Sequence, residues 1–146
     1  DLDSLLALGI SFTNELSESD AFSYMHQWLK YHPDYQELAN AQSANPDYIQ
    51  IKNAFEAANQ QNPADAQVLL ALGVLDFLQR DFAKARTYFA TAIKEEPLNH
   101  SLWNKYGAAC AQLLQTEESI RAYKLAIDLR PNYVRTIVNL GLSHNN

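Results

Sequence analysis

The chain has 146 residues, 47% apolar and 19% charged, a balance that suits one compact domain or a short repeat array. Its 11 Lys and Arg against 17 Asp and Glu give a formal charge of -6, which disfavours a chain-wide electrostatic grip on nucleic acid or an anionic bilayer. The single thiol, Cys110, forms no intrachain disulfide, and the longest nearly uncharged apolar stretch, Val68 to Leu75, falls far short of the roughly 20 residues of a spanning helix. Asp1 comes with no initiator Met, basic leader or small-residue cleavage site, so it reads as an internal cut of a longer chain.

The helix breakers are periodic. Gly73, Gly107 and Gly141 are 34 residues apart, as are Pro63, Pro97 and Pro131, and Gly9 to Pro33 repeats the 24-residue offset from Gly73 to Pro97. Inside each period the apolar residues recur at helical spacing, for example Leu102, Trp103, Tyr106 and Cys110, then Ile120, Tyr123, Ala126 and Ile127, which predicts two helices per unit. Gly107 falls mid-helix, where glycine costs about 1 kcal/mol against alanine, so it implies close approach of the partner helix. Pro131 ends the second helix.

Trp103, Tyr106-Gly107, Tyr123, Ala126 and Pro131 resemble the W, L-G, F, A and P signature of the tetratricopeptide repeat, a helix-turn-helix unit of about 34 residues. The expected fold is therefore all-α, a superhelical solenoid of antiparallel helix pairs. Taking Gly107 as the eighth position gives, in chain order, a repeat at 1-35, a degenerate hinge-like repeat at 36-65, repeats at 66-99 and 100-133, and the first helix of a truncated repeat at 134-146. In the degenerate repeat the second helix is well marked by Tyr48, Ile51, Phe55, Ala58 and Pro63. The Gln36 to Pro46 stretch has little helical periodicity and reads as a loop or hinge, or as a loop partly missing from the chain.

In such an array the first helices form the concave wall, and the signature register implies which of their residues face the groove. They are mostly small or carboxamide side chains, with Lys105 and Arg135 and one acid, Asp3, while the 66-99 repeat offers mainly apolar residues. Carboxamides both donate and accept, so they suit the main chain of an extended peptide, and Lys and Arg suit a terminal carboxylate. Small linings such as Ile10, Thr13 and Ala108 suit an aliphatic last side chain.

Four further stretches resemble the import receptor for the type-1 peroxisomal targeting signal: Ile10-Ser11-Phe12-Thr13-Asn14-Glu15, Trp28-Leu29-Lys30-Tyr31-His32-Pro33, Leu102-Trp103-Asn104-Lys105-Tyr106-Gly107-Ala108 and Asn139-Leu140-Gly141-Leu142-Ser143. That family recognises a C-terminal Ser-Lys-Leu-like tripeptide on cargo and places a hinge at its abnormal repeat. The resemblance implies that Asn14, Asn104, Asn139 and Asn146 hold the signal's main chain, and that Lys105 and Arg135 meet its carboxylate. It also implies that Ile10, Thr13, Lys105 and Ala108 line the cavity for the final Leu. Gln112 stands where the family carries another Asn. The family's acidic residues for the basic middle side chain, and its docking contacts with peroxisomal membrane proteins, are expected outside these residues, so binding by this piece alone should be weak or absent. The implied setting is cytoplasmic, cycling to the peroxisomal membrane.

Two other functions fit a helix-pair array: a chaperone adaptor with a carboxylate clamp, and an assembly scaffold using its outer face. The clamp has Lys at the fifth and Asn at the ninth position of one helix, whereas this chain has Asn104, Lys105 and Ala108 at the fifth, sixth and ninth. No cofactor or metal is expected, since His26, His32, His100 and His144 lack short ligand spacing. Cys110 shares its register with His144 and reads as a buried thiol, Glu95-Glu96 and Glu117-Glu118 lie at helix ends, and no catalytic set is recognisable, so the chain reads as no enzyme. The sequon Asn99-His100-Ser101 has meaning only in a secreted chain. Phe12, Trp28, Phe55, Phe89, Trp103 and Tyr123 fall at packing positions and are expected in the core.

Overall fold

The computed structural model describes the backbone of residues 1–14, 18–131 and 137–141, and their side chains except at 8 and 11–14. The elements are α1 (Leu2–Asn14), α2 (Glu18–Tyr31), α3 (Gln36–Asn40), α4 (Tyr48–Gln61), α5 (Ala66–Leu78), α6 (Phe82–Glu95), α7 (His100–Gln112) and α8 (Thr116–Leu129). Residues 137–141 are helical too, and no strand occurs among the described residues. The chain divides into two compact units, Asp1–Pro63 and Ala64–Asn146. None of the described helices is long and apolar enough to cross a membrane.

In the second unit α5 pairs with α6, α6 packs on α7, and α7 pairs with α8. Helix α5 starts at Asp65, whose carboxylate accepts from the Gln67 and Val68 N–H groups, and α7 starts at Asn99, which accepts from Ser101 and Leu102. The mid-helix glycines have the role expected of them. A Cβ on Gly73 would lie under 3.0 Å from the ring of Phe89, and one on Gly107 would lie 2.7 Å from Tyr123 Cε1. Each glycine gives up helix propensity so that an aromatic ring of the paired helix can be buried whole, and that burial, about 2 kcal/mol, exceeds the loss. Both first helices end in a left-handed residue, Arg80 and Leu114, each with φ 61°. Behind them Asp81 N–H donates to the Asp76 carbonyl and Gln115 N–H to the Cys110 carbonyl, both at 2.9 Å, closing the helix ends.

In the first unit α1 pairs with α2, and α2 packs on α3 and α4. Trp28 stacks on Phe55 at 5.6 Å between centroids, with Tyr35 at 5.7 Å, and all three are fully buried. The 36–46 stretch, expected as a loop or hinge, contains the five-residue helix α3. Buried Tyr35 anchors it: its carbonyl accepts from the Leu38 and Ala39 N–H groups, and Ala39 is buried. A single turn is too short to display a period, which is why the spacing did not reveal it. Beyond α3, Gln42 Oε1 lies 3.0 Å from His26 Nδ1 while Gln42 Nε2 donates to the Gln50 carbonyl, tying this loop to α2 and α4. The expected core aromatics Trp28, Phe55, Phe89 and Tyr123 are buried. Trp103 is half-buried, and its Nε1 donates to the Pro97 carbonyl at 2.8 Å; Phe12 lies outside the described side chains.

Candidate binding site

Helix α7, fixed at its start by the Asn99 cap, carries most of the candidate residues that the structure describes. Asn104 is only 4% exposed, and its Oδ1 accepts a hydrogen bond from Asn139 Nδ2 at 3.2 Å. A buried carboxamide is costly unless it is bonded, and this pair satisfies one group on each partner. Among the described residues the second amide group of each, Asn104 Nδ2 and Asn139 Oδ1, makes no bond: a donor group and an acceptor, the complement of a peptide unit. Ala108 and Gln112 follow Asn104 at successive four-residue steps of α7, half-buried and exposed respectively, and Lys105 is half-buried on the flank.

One turn before Asn104, at the first position of α7, stands His100. Arg130, which follows α8, donates from Nη1 to His100 Nε2 at 3.2 Å. A guanidinium has no acceptor, so Nε2 must carry the lone pair and the ring is neutral. Burial first, then the charges of Arg130 and Lys105, hold His100 below the ordinary imidazole range. Sequence reasoning gave neither His100 nor Arg130 a role. The signal was nevertheless present: neither Pro97 to Thr116 nor 129–146 contains an acid, although the chain carries 17 of them, and Lys105, Arg130 and Arg135 all fall in these two runs.

Of the other candidates, Ile10 is buried in the first unit. Thr13 and Asn14 close α1, with side chains outside those described, and Arg135 and Asn146 lie outside the described residues.

The other side of α7 has different chemistry. Tyr106 Oη donates to Glu118 Oε1 at 3.0 Å, and Arg121 bonds the same carboxylate and holds it below the usual range. Arg86, Tyr106, Gln115, Thr116, Glu117 and Glu118 line a shallow cleft of about 590 Å³ there. Burial raises the Cys110 thiol and pushes Tyr123 up to about 12, so at neutral pH Cys110 is a packed thiol with no nucleophilic thiolate. His144, which shares its register, lies outside the described residues.

The peroxisomal targeting signal receptors of Kluyveromyces lactis and Eremothecium gossypii are 33% and 34% identical to this chain, over 97% and 99% of its length. The chain is similar to these receptors over nearly its whole length. It spans about a quarter of those relatives, 26% of each. Peroxisome biogenesis protein 5 of Arabidopsis thaliana is 46% identical over 91 residues, 62% of this chain and 12% of the relative. These relatives are named as receptors or as a biogenesis protein, and none as an enzyme. No family model matches the chain. Among solved structures, a crystal structure of MamA superposes with a TM-score of 0.68 at 18% identity, covering 94% of this chain and 83% of that one. The first TPR of Spaghetti (RPAP3), bound to an HSP90 peptide, gives 0.67 at 18%, covering 84% and 93%. At such identity the likeness shows the fold alone, and the fold is that of the tetratricopeptide repeat.

Proposed function

We propose that this chain is the part of a peroxisomal import receptor that binds the C-terminal Ser-Lys-Leu-type signal of matrix proteins. The observation that carries the reading is the Asn104–Asn139 amide pair with Lys105 beside it, in a chain similar to these receptors. Asn104, Asn139 and Asn146 hold the signal's main chain, with Gln112 extending the row of amides. Lys105 and Arg135 receive its carboxylate, and Ala108 borders its last side chain. The same reading takes 1-35, 66-99 and 100-133 as full repeats, 36-65 as the hinge-like one, and 134-146 as the first helix of another. The protein acts by binding, without catalysis and without a cofactor. It works from the cytoplasm, cycling to the peroxisomal membrane, where docking proteins engage regions beyond these residues.

Fluorescence polarisation with a labelled peptide ending in Ser-Lys-Leu tests this in the full-length protein. Asn104→Ala and Asn139→Ala should each weaken binding by about 1–3 kcal/mol, the usual cost of a buried polar partner left unpaired. Amidating the peptide's C-terminus should weaken it sharply, because the cations then face no anion. Full affinity in both variants would reject the assignment, and preference for a chaperone tail would favour a carboxylate clamp.

A further inference from the structure

The bond between Arg130 and His100 stands one helical turn from the amide pair, and its geometry admits only a neutral ring. Protonating His100 in the empty site would turn Nε2 into a donor facing a donor, and would add a third positive charge to those of Arg130 and Lys105. Those two cations both act on the ring, one from the end of α8 and one from its own helix. Just after α6, which packs against α7, the nearest acid in sequence is Glu96, whose Oε1 accepts from Asn99 Nδ2 at 3.2 Å. Asp128 near the end of α8 is exposed, and Arg135 lies outside the described residues.

A carboxylate arriving at Lys105 changes both terms. It cancels one positive charge, and it offers Arg130 a stronger acceptor than a neutral imidazole nitrogen. We propose that binding of the peptide's carboxylate is coupled to proton uptake by His100: Arg130 turns from Nε2 to the carboxylate, and Nε2 takes a proton from solvent. His100 is then a positioning residue that releases or retains Arg130 according to whether an anion is present. The inference rests on the peptide-binding reading above and deepens it by making that site responsive to pH.

The test is isothermal titration calorimetry of the full-length protein with an N-acetylated peptide ending in Ser-Lys-Leu, near pH 6.5, in two buffers of different ionisation enthalpy. The protein should take up a sizeable fraction of one proton per peptide, and its affinity should fall about threefold to tenfold between pH 6 and pH 8. With His100→Gln both the uptake and the pH slope should vanish. Because that variant could also disturb α7, the amidated peptide gives a second reading on the unaltered protein: whatever binding it retains should carry no proton uptake. Binding without uptake, or an unchanged slope in His100→Gln, would overturn the coupling and leave the receptor reading intact. Absence of peptide binding at every pH would overturn the receptor reading, and the coupling with it.

Discussion

At the residue scale, three glycines with the same place in the 34-residue period have different surroundings, so their substitutions should differ in sign. Alanine at Gly73 would gain about 1 kcal/mol of helix propensity, but its Cβ would lie under 3.0 Å from the fully packed Phe89 ring, and overpacking of this kind costs about 1–3 kcal/mol. Gly73→Ala should therefore lower the urea midpoint. Among the described residues nothing lies within 4 Å of a Cβ added at Gly141, so Gly141→Ala should raise the midpoint or leave it unmoved. The need for glycine at this register was legible from spacing alone; which ring fills the place was not, because that depends on the neighbouring helix. The same holds at the site. The residue types of Asn104 and Asn139 pointed to amide chemistry, whereas their mutual bond, and the Arg130 contact that neutralises His100, exist only once residues some 30 positions apart meet.

At the scale of elements, equivalent helix starts are capped unequally. Asp81 caps α6 by accepting from the Lys84 N–H at 3.2 Å, but Gln115, its counterpart before α8, makes no side-chain cap and instead accepts from Arg86 Nη1 at 2.6 Å. Gln115→Asp should supply the missing acceptor while keeping an anion near Arg86, and should stabilise the protein by about 1 kcal/mol in thermal unfolding. Loss of stability instead would mean that the Arg86 bond outweighs the cap. The helix pairs around these starts were readable from apolar spacing, glycines and prolines. Helix α3 was not, since its one turn depends on the burial of Tyr35 and Ala39.

For the molecule as a whole, opposed titrations on the acid and alkaline sides bound the pH range of the second unit. His100 has its folded pKa below the unfolded value of 6.5, so its contribution is complete above 6.5 and is lost as pH falls through the lowered value. Tyr123 is raised from 10.0 to about 12, so its contribution is complete below 10 and is lost as pH climbs towards 12. Urea midpoints followed by circular dichroism should be highest between roughly pH 7 and pH 9 and decline on both sides, the buried Cys110 thiol, raised from 9.0, adding to the alkaline loss; a midpoint that keeps rising below pH 6 would contradict the neutral state of His100. The division into units has a spectroscopic consequence. The chain's two tryptophans fall one to each unit. Trp28 is sealed against Phe55, its indole N–H without a partner among the described residues, whereas the half-buried Trp103 donates to a carbonyl. Emission from Trp28 should lie to the blue of that from Trp103, so each half of the chain carries its own intrinsic dye, and their melting can be followed separately in one cuvette.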